Sequence, residues 1–217
     1  MSGGAMQYLV CILIGYVIGT INPSYIFSKL HGSDIRKKGS GNAGASNALI
    51  VYGKAVGILC AIFDIAKAGI AIWIAQTIYP NFIWAFAITG VSAILGHIFP
   101  FYMRFRGGKG LASLGGMIFA YNWIVFLIML AAEIVIVLVT NYICFVPITA
   151  AIAFPVVYGI MRRDLVGALI LCIATVVILF KHKENIKRIR KGTEAHFSLL
   201  WNRDKEIERV QNNQSKF

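Results

Sequence analysis

Residues 123–140 read WIVFLIMLAAEIVIVLVT, eighteen residues in which Glu133 is the only charge. A helix of this kind is apolar on every side, so it needs either a deep protein core or lipid around it. About 20 such residues cross the hydrocarbon core of a bilayer, and fewer suffice where a helix is shielded by protein. Comparable runs fall at 6–29, 52–78, 82–103, 109–121, 145–161 and 164–181. The whole chain is 58% hydrophobic and 14% charged, against about 45–50% and 25% in soluble domains. We therefore expect an all-α integral membrane protein with seven transmembrane helices. The first run is not a cleaved signal peptide, because no basic segment precedes it and it is too long. The fourth is the shortest, bounded by Gly110 and by Tyr121-Asn122-Trp123.

The net charge of +12 does not argue for a nucleic-acid partner, because the cations cluster at the ends of the apolar runs, as the positive-inside bias requires. Arg36, Lys37 and Lys38 lie in the connection 30–51, with Lys54 just beyond it. Arg104, Arg106 and Lys109 lie at 104–109. Lys181, Lys183, Lys187, Arg188, Arg190 and Lys191 follow the last run. Seven spans put all three groups on the cytoplasmic side, with the N-terminus outside and the C-terminus cytoplasmic. Arg162-Arg163 then falls on the outer face against the bias, with Asp164 offsetting one charge. Cys11, Cys60, Cys144 and Cys172 sit inside apolar runs without CxxC or metal-ligand spacing, so they are packing residues and no metal site is expected.

Three polar segments share the predicted cytoplasmic face: GSGNAGASN at 39–47, GHIFPFYMRFRGGKGLAS at 96–113 and KHKENIKRIRKGTE at 181–194. Glycines let consecutive backbone N–H groups converge on one anion. Ser40, Asn42, Ser46 and Asn47 add short hydrogen-bonding groups, Arg106 and Lys109 add fixed charge, and His97 and His182 are of the residue type that can titrate near neutrality. Taken singly, each segment has an ordinary explanation. Glycines allow helices to pack closely, a basic helix end is a topology signal, and a basic run anchors to lipid headgroups. Three of them on one face point instead to a phosphate held at the membrane boundary. A Walker A loop would need glycine at Met103 and a hydroxyl residue at Gly110, so it is absent. No histidine begins a His-x4-Asp motif, since Arg36, Tyr102, Lys187 and Trp201 stand five residues after the four histidines.

In order and spacing these segments resemble the three signature motifs of the PlsY family, the bacterial acyl-phosphate:glycerol-3-phosphate acyltransferases, over residues 6–196. The resemblance implies transfer of an acyl group from acyl phosphate to the sn-1 hydroxyl of glycerol 3-phosphate. The products would be lysophosphatidic acid and phosphate, formed at the first committed step of phospholipid synthesis. It implies no cofactor, no covalent enzyme intermediate, membrane lipids as surroundings, a monomer, and a multi-pass place in a bacterial inner membrane. Lys109 and His182 take catalytic places. Gly107, Gly108 and Gly110 complete the phosphate cradle with Ser113, and Ser40, Gly41, Asn42 and Gly44 line its other half, shaped by Ser46 and Asn47. His97, Asn185 and Glu194 complete the substrate-binding set, with Glu194 ordering the basic residues around it. The proton acceptor is His182 or a substrate phosphate.

The chain departs from the family at Ile50, where relatives carry arginine, so one phosphate-binding cation is either missing or replaced by Lys54 or Arg106. Ser46 stands for the usual threonine. Asp64 and Lys67 are expected to form a buried ion pair, and Glu133 has no evident partner. Residues 1–196 are expected to form one membrane domain, and 197–217 a charged tail, interfacial or disordered. The rival reading is a transporter or channel for a small anion. It would place its site near the bilayer midplane on broken helices.

Overall fold

The computed structural model describes residues 4–194, 196–200, 205, 208 and 209, and all regular structure among them is helical. The helices are α1 (Ala5–Thr20), α2 (Pro23–Leu30), α3 (Ala45–Tyr52), α4 (Lys54–Ile78), α5 (Ala85–Ile98), α6 (Leu111–Tyr121), α7 (Trp123–Thr140), α8 (Phe145–Arg162) and α9 (Leu165–Arg190). Short 3-10 turns occupy Ile35–Lys37, Phe101–Met103 and Phe197–Leu200. With α1 and α2 taken as one stretch, six helical stretches among the described residues are long and apolar enough to cross a bilayer, and α6 is a shorter apolar helix.

The expected first span is broken in two. Pro23 has no N–H to donate to the helix before it, and it starts α2 while the Asn22 side chain accepts from the Tyr25 N–H at 2.8 Å. The last span continues beyond residue 181 to Arg190, so the third motif begins as helix. The first motif is also partly helical, because Gly44 ends the loop and α3 follows. Of the tail, residues 201–204, 206, 207 and 210–217 lie outside the described residues.

Helix α5 is the centre and is buried along nearly its whole length. Lipid supplies no hydrophobic force to press helices together, so close contact depends on small residues. Gly15 and Gly19 of α1 face α5, where a methyl at Gly19 would overlap the Ala93 carbonyl and one at Gly15 the Thr89 carbonyl. Gly96 returns the contact against Tyr16, and Gly116 seats α6 on the Ile65 carbonyl of α4. Leu138 and Val139 of α7 point outward, 67% and 80% exposed, the surface that lipid covers.

Several polar groups inside the helices have found partners across the bundle. Pro155 leaves the Ala151 carbonyl without its helical donor, and Thr175 of α9 donates to it at 2.6 Å. Glu133 has a partner that the sequence did not reveal: Thr149 of α8 donates to its carboxylate at 2.6 Å. Asp64 and Lys67 do pair, at 2.6 Å, with His97 beside them.

Candidate functional site

The first wall of the site is the loop between α2 and α3, and its organiser is Asn47. This side chain is fully buried, accepts from the Ser40 N–H at 2.8 Å and donates towards the carbonyls of Ile35, Lys38 and Asn42 at 3.1, 3.0 and 2.8 Å. An amide suits the task because it carries donors and an acceptor on one rigid plane. Asn47 is therefore a loop staple facing inward. Ser40 and Ser46 are exposed, and Gly44 caps α3. Arg36 is fixed in the same loop: its guanidinium bonds Asp34 at 2.7 and 3.0 Å and the Met103 carbonyl at 2.6 Å. The Arg36 guanidinium holds the Asp34 carboxyl down at about 2.

The second wall is the segment from Phe99 to Gly110. Gly107 and Gly108 donate their N–H groups to the carbonyls of Ile98 and His97 at 3.0 and 3.1 Å. The expectation that these two N–H groups help to cradle an anion is thus corrected, because they are engaged with the end of α5. Their lack of side chains has another cause: a Cβ on Gly107 would overlap the His97 carbonyl, and one on Gly108 would overlap the His97 ring. The pair seats the turn that presents Lys109. Gly110 then has a φ of 92°, open to glycine, and starts α6 with no side-chain cap. The N–H groups of that first turn have no intrahelical partner, and N–H groups at a helix start favour anions. Ser113 lies in it with its hydroxyl buried and, among the described residues, without a hydrogen-bond partner.

The third motif closes behind Lys109. His182 and Asn185 are buried on one face of α9. The Lys109 ammonium donates to Asn185 Oδ1, Asn185 donates to Glu194 Oε1, and Arg188 donates to Glu194 Oε2, each at 2.5 Å. Burial pushes the Lys109 ammonium below the usual lysine range, with Arg188 adding to the shift and Glu194 opposing it. His182 Nδ1 lies 2.8 Å from the Ile178 carbonyl, which sets the tautomer and leaves Nε2 as the free nitrogen.

Between the walls lies a cleft of about 280 Å³. Four cations line it: Arg36, Arg106, Lys109 and Lys181. Gly41, Asn42, Gly107 and Gly108 supply the rest of its surface, and no carboxylate is among the described lining residues. Such a cleft can neutralise a multiply charged anion, and its glycines let that anion come close to backbone.

Of the residues expected from sequence, Gly41, Asn42, Gly107, Gly108 and Lys109 meet at the cleft, while Asn185, Glu194 and Asn47 act one layer behind. His97 does not line it, because its ring is buried behind Gly108. Sequence reasoning missed Arg36 and Lys181 as lining residues, having taken both for topology charges. It also missed Asn22, fully buried, which donates to the Ala43 carbonyl at 2.8 Å. An Asn-Pro pair inside an apolar run was the available signal. Arg106 lines the cleft, and Ile50, 48% exposed, is not among its described lining residues.

Residues 9–192 match the sequence profile of the family described as glycerol-3-phosphate acyltransferase. Among relatives, the glycerol-3-phosphate acyltransferase of Geotalea daltonii is 35% identical over 87% of this chain and 97% of its own length. That of Thermotoga petrophila is 37% identical over 87% and 95%. The crystal structure of PlsY, an integral membrane glycerol 3-phosphate acyltransferase in its glycerol 3-phosphate form, superposes with a TM-score of 0.81 at 31% identity. It covers 89% of this chain and 96% of that one.

Proposed function

The chain belongs to the glycerol-3-phosphate acyltransferase family, and on that premise we propose that it moves an acyl group from acyl phosphate to the sn-1 hydroxyl of glycerol 3-phosphate. The products are lysophosphatidic acid and inorganic phosphate. The observation that carries this reading is the cleft with four cations and no carboxylate among its described lining residues, joined through Lys109 to Asn185 and Glu194. Both substrates are phosphates, and their mutual repulsion must be cancelled before the hydroxyl can approach the carbonyl.

Lys109, Arg106, Arg36 and Lys181 supply that cancellation, and the first turn of α6 supplies backbone donors. Acyl phosphate already carries an activated mixed anhydride, so positioning and charge stabilisation suffice and no enzyme nucleophile takes part. Asn185 holds the Lys109 ammonium in place from behind the cleft, and His182 lies on the same face of α9. The hydroxyl proton passes to His182 or to a substrate phosphate. In this reading the short α6 counts as a seventh span, the cleft faces the cytoplasm, and the N-terminus lies outside a bacterial inner membrane. One membrane domain over residues 1–196 works as a monomer.

The test is phosphate release from palmitoyl phosphate by purified protein, with and without glycerol 3-phosphate, beside Lys109→Ala. Release that needs glycerol 3-phosphate and vanishes in the variant supports the reading. Hydrolysis indifferent to glycerol 3-phosphate, or full turnover in the variant, would overturn it.

A further inference from the structure

Lys67 sits in the middle of α4, 2% exposed, and neither it nor Asp64 lines the cleft. A buried ion pair costs desolvation that pairing alone seldom recovers, so its location asks for a reason beyond stability. The partners supply one. The Lys67 ammonium is 2.6 Å from Asp64 Oδ1, 2.6 Å from the Ile21 carbonyl oxygen and 2.9 Å from His97 Nδ1. An ammonium has three protons and no lone pair, so these three contacts use it up. The same His97 Nδ1 lies 3.3 Å from Asp64 Oδ1, so one ring nitrogen faces both charges of the pair and either tautomer keeps the ring tied to it.

Two of these contacts lead to opposite walls of the cleft. Ile21 precedes Asn22, whose side chain donates to the Ala43 carbonyl, next to cleft residue Asn42. Tyr102 crosses the same break, donating to the Thr20 carbonyl at 2.7 Å and accepting from the Asn22 N–H at 3.2 Å. On the other side, the His97 ring abuts Gly108 so closely that a Cβ there would overlap Nε2. The His97 carbonyl also takes the Gly108 N–H. Lys109 is the next residue.

We propose that Lys67 is a positioning residue: with Asp64 and His97 it ties the α1–α2 break to the 107–110 turn and thereby fixes the two cleft walls relative to each other. The inference rests on the acyl-transfer reading above and adds to it a group that touches no substrate. Loss of the tie frees the Ile21 carbonyl and lets the His97 ring turn, and the Lys109 ammonium moves with the turn. Misplacement by about 1 Å costs an oriented reaction on the order of a hundredfold.

The experiment uses two variants and one spectroscopic signature in the full-length protein. Asp64→Asn/Lys67→Met removes both charges and leaves neither unpaired, and His97→Gln keeps the α4 ion pair while removing the ring. Both are expected to lower kcat about tenfold or more and to raise KM for glycerol 3-phosphate. In wild-type protein, the 15N NMR shift of His97 Nδ1 should report its contact with the ion pair, and the double variant should move that shift. A His97 15N shift that the double variant leaves unmoved overturns the proposal, as does wild-type kcat and KM in His97→Gln, even if the double variant does not fold. Wild-type protein without any turnover would defeat the acyl-transfer reading instead.

Discussion

Replacing Asn47 with alanine separates a loop staple from a substrate contact. The side chain offers one acceptor and two donor protons, engaged with Ser40 N–H on one side and three carbonyls on the other. At about 0.5–1.5 kcal/mol net for each of three hydrogen bonds, the loop loses roughly 1.5–4.5 kcal/mol of order. A tenfold change in an equilibrium corresponds to about 1.4 kcal/mol, so the closed loop becomes roughly ten- to a thousandfold less favoured against open forms. Substrate must bind the closed form, and apparent affinity falls by the closed fraction. Phosphate release followed over a range of glycerol 3-phosphate should show KM raised about tenfold or more, with kcat recovered at saturation. Asn47→Asp sharpens the test: it keeps the acceptor for Ser40 but turns a carboxylate towards three carbonyl oxygens, so it should be no better than alanine. Wild-type KM in either variant, or a kcat that saturation does not restore, would refute the reasoning.

Other substitutions probe the frame. Thr175→Val leaves the Ala151 carbonyl without a donor and should lower stability by about 0.6–1.7 kcal/mol, read as a lower melting temperature in detergent with turnover retained at low temperature. Gly19→Val drives a branched side chain into the Ala93 carbonyl, separates α1 from α5, and should abolish the folded species in size-exclusion chromatography. Asp34→Asn should lower activity at every pH between about 6 and 9 without moving the profile. The sign follows from a folded value of about 2, below the free value of 3.8. Stability from the Asp34–Arg36 pair is fully present above the free value and is lost only as pH falls towards 2. A shifted limb in that activity profile would contradict the pairing.

The apolar runs determined the class of this protein without help from its structure. A stretch such as 123–140 has few physical solutions, and its helix was found at Trp123–Thr140. The three motifs were equally legible as polar segments at the ends of apolar runs. What each motif residue does was decided by tertiary contacts. Nothing local distinguishes Asn42, which lines the cleft, from Asn47, which is turned inward to hold the loop. Gly107 and Gly108 look like anion donors in one dimension, yet the end of α5 takes their N–H groups. Arg36 and Lys181, 145 positions apart by number, meet at one cleft, and no periodicity encodes such a meeting. Hydropathy is additive along the chain and survives reading in order, whereas hydrogen bonding is a matter of pairs, and the partner is chosen only when distant helices have packed.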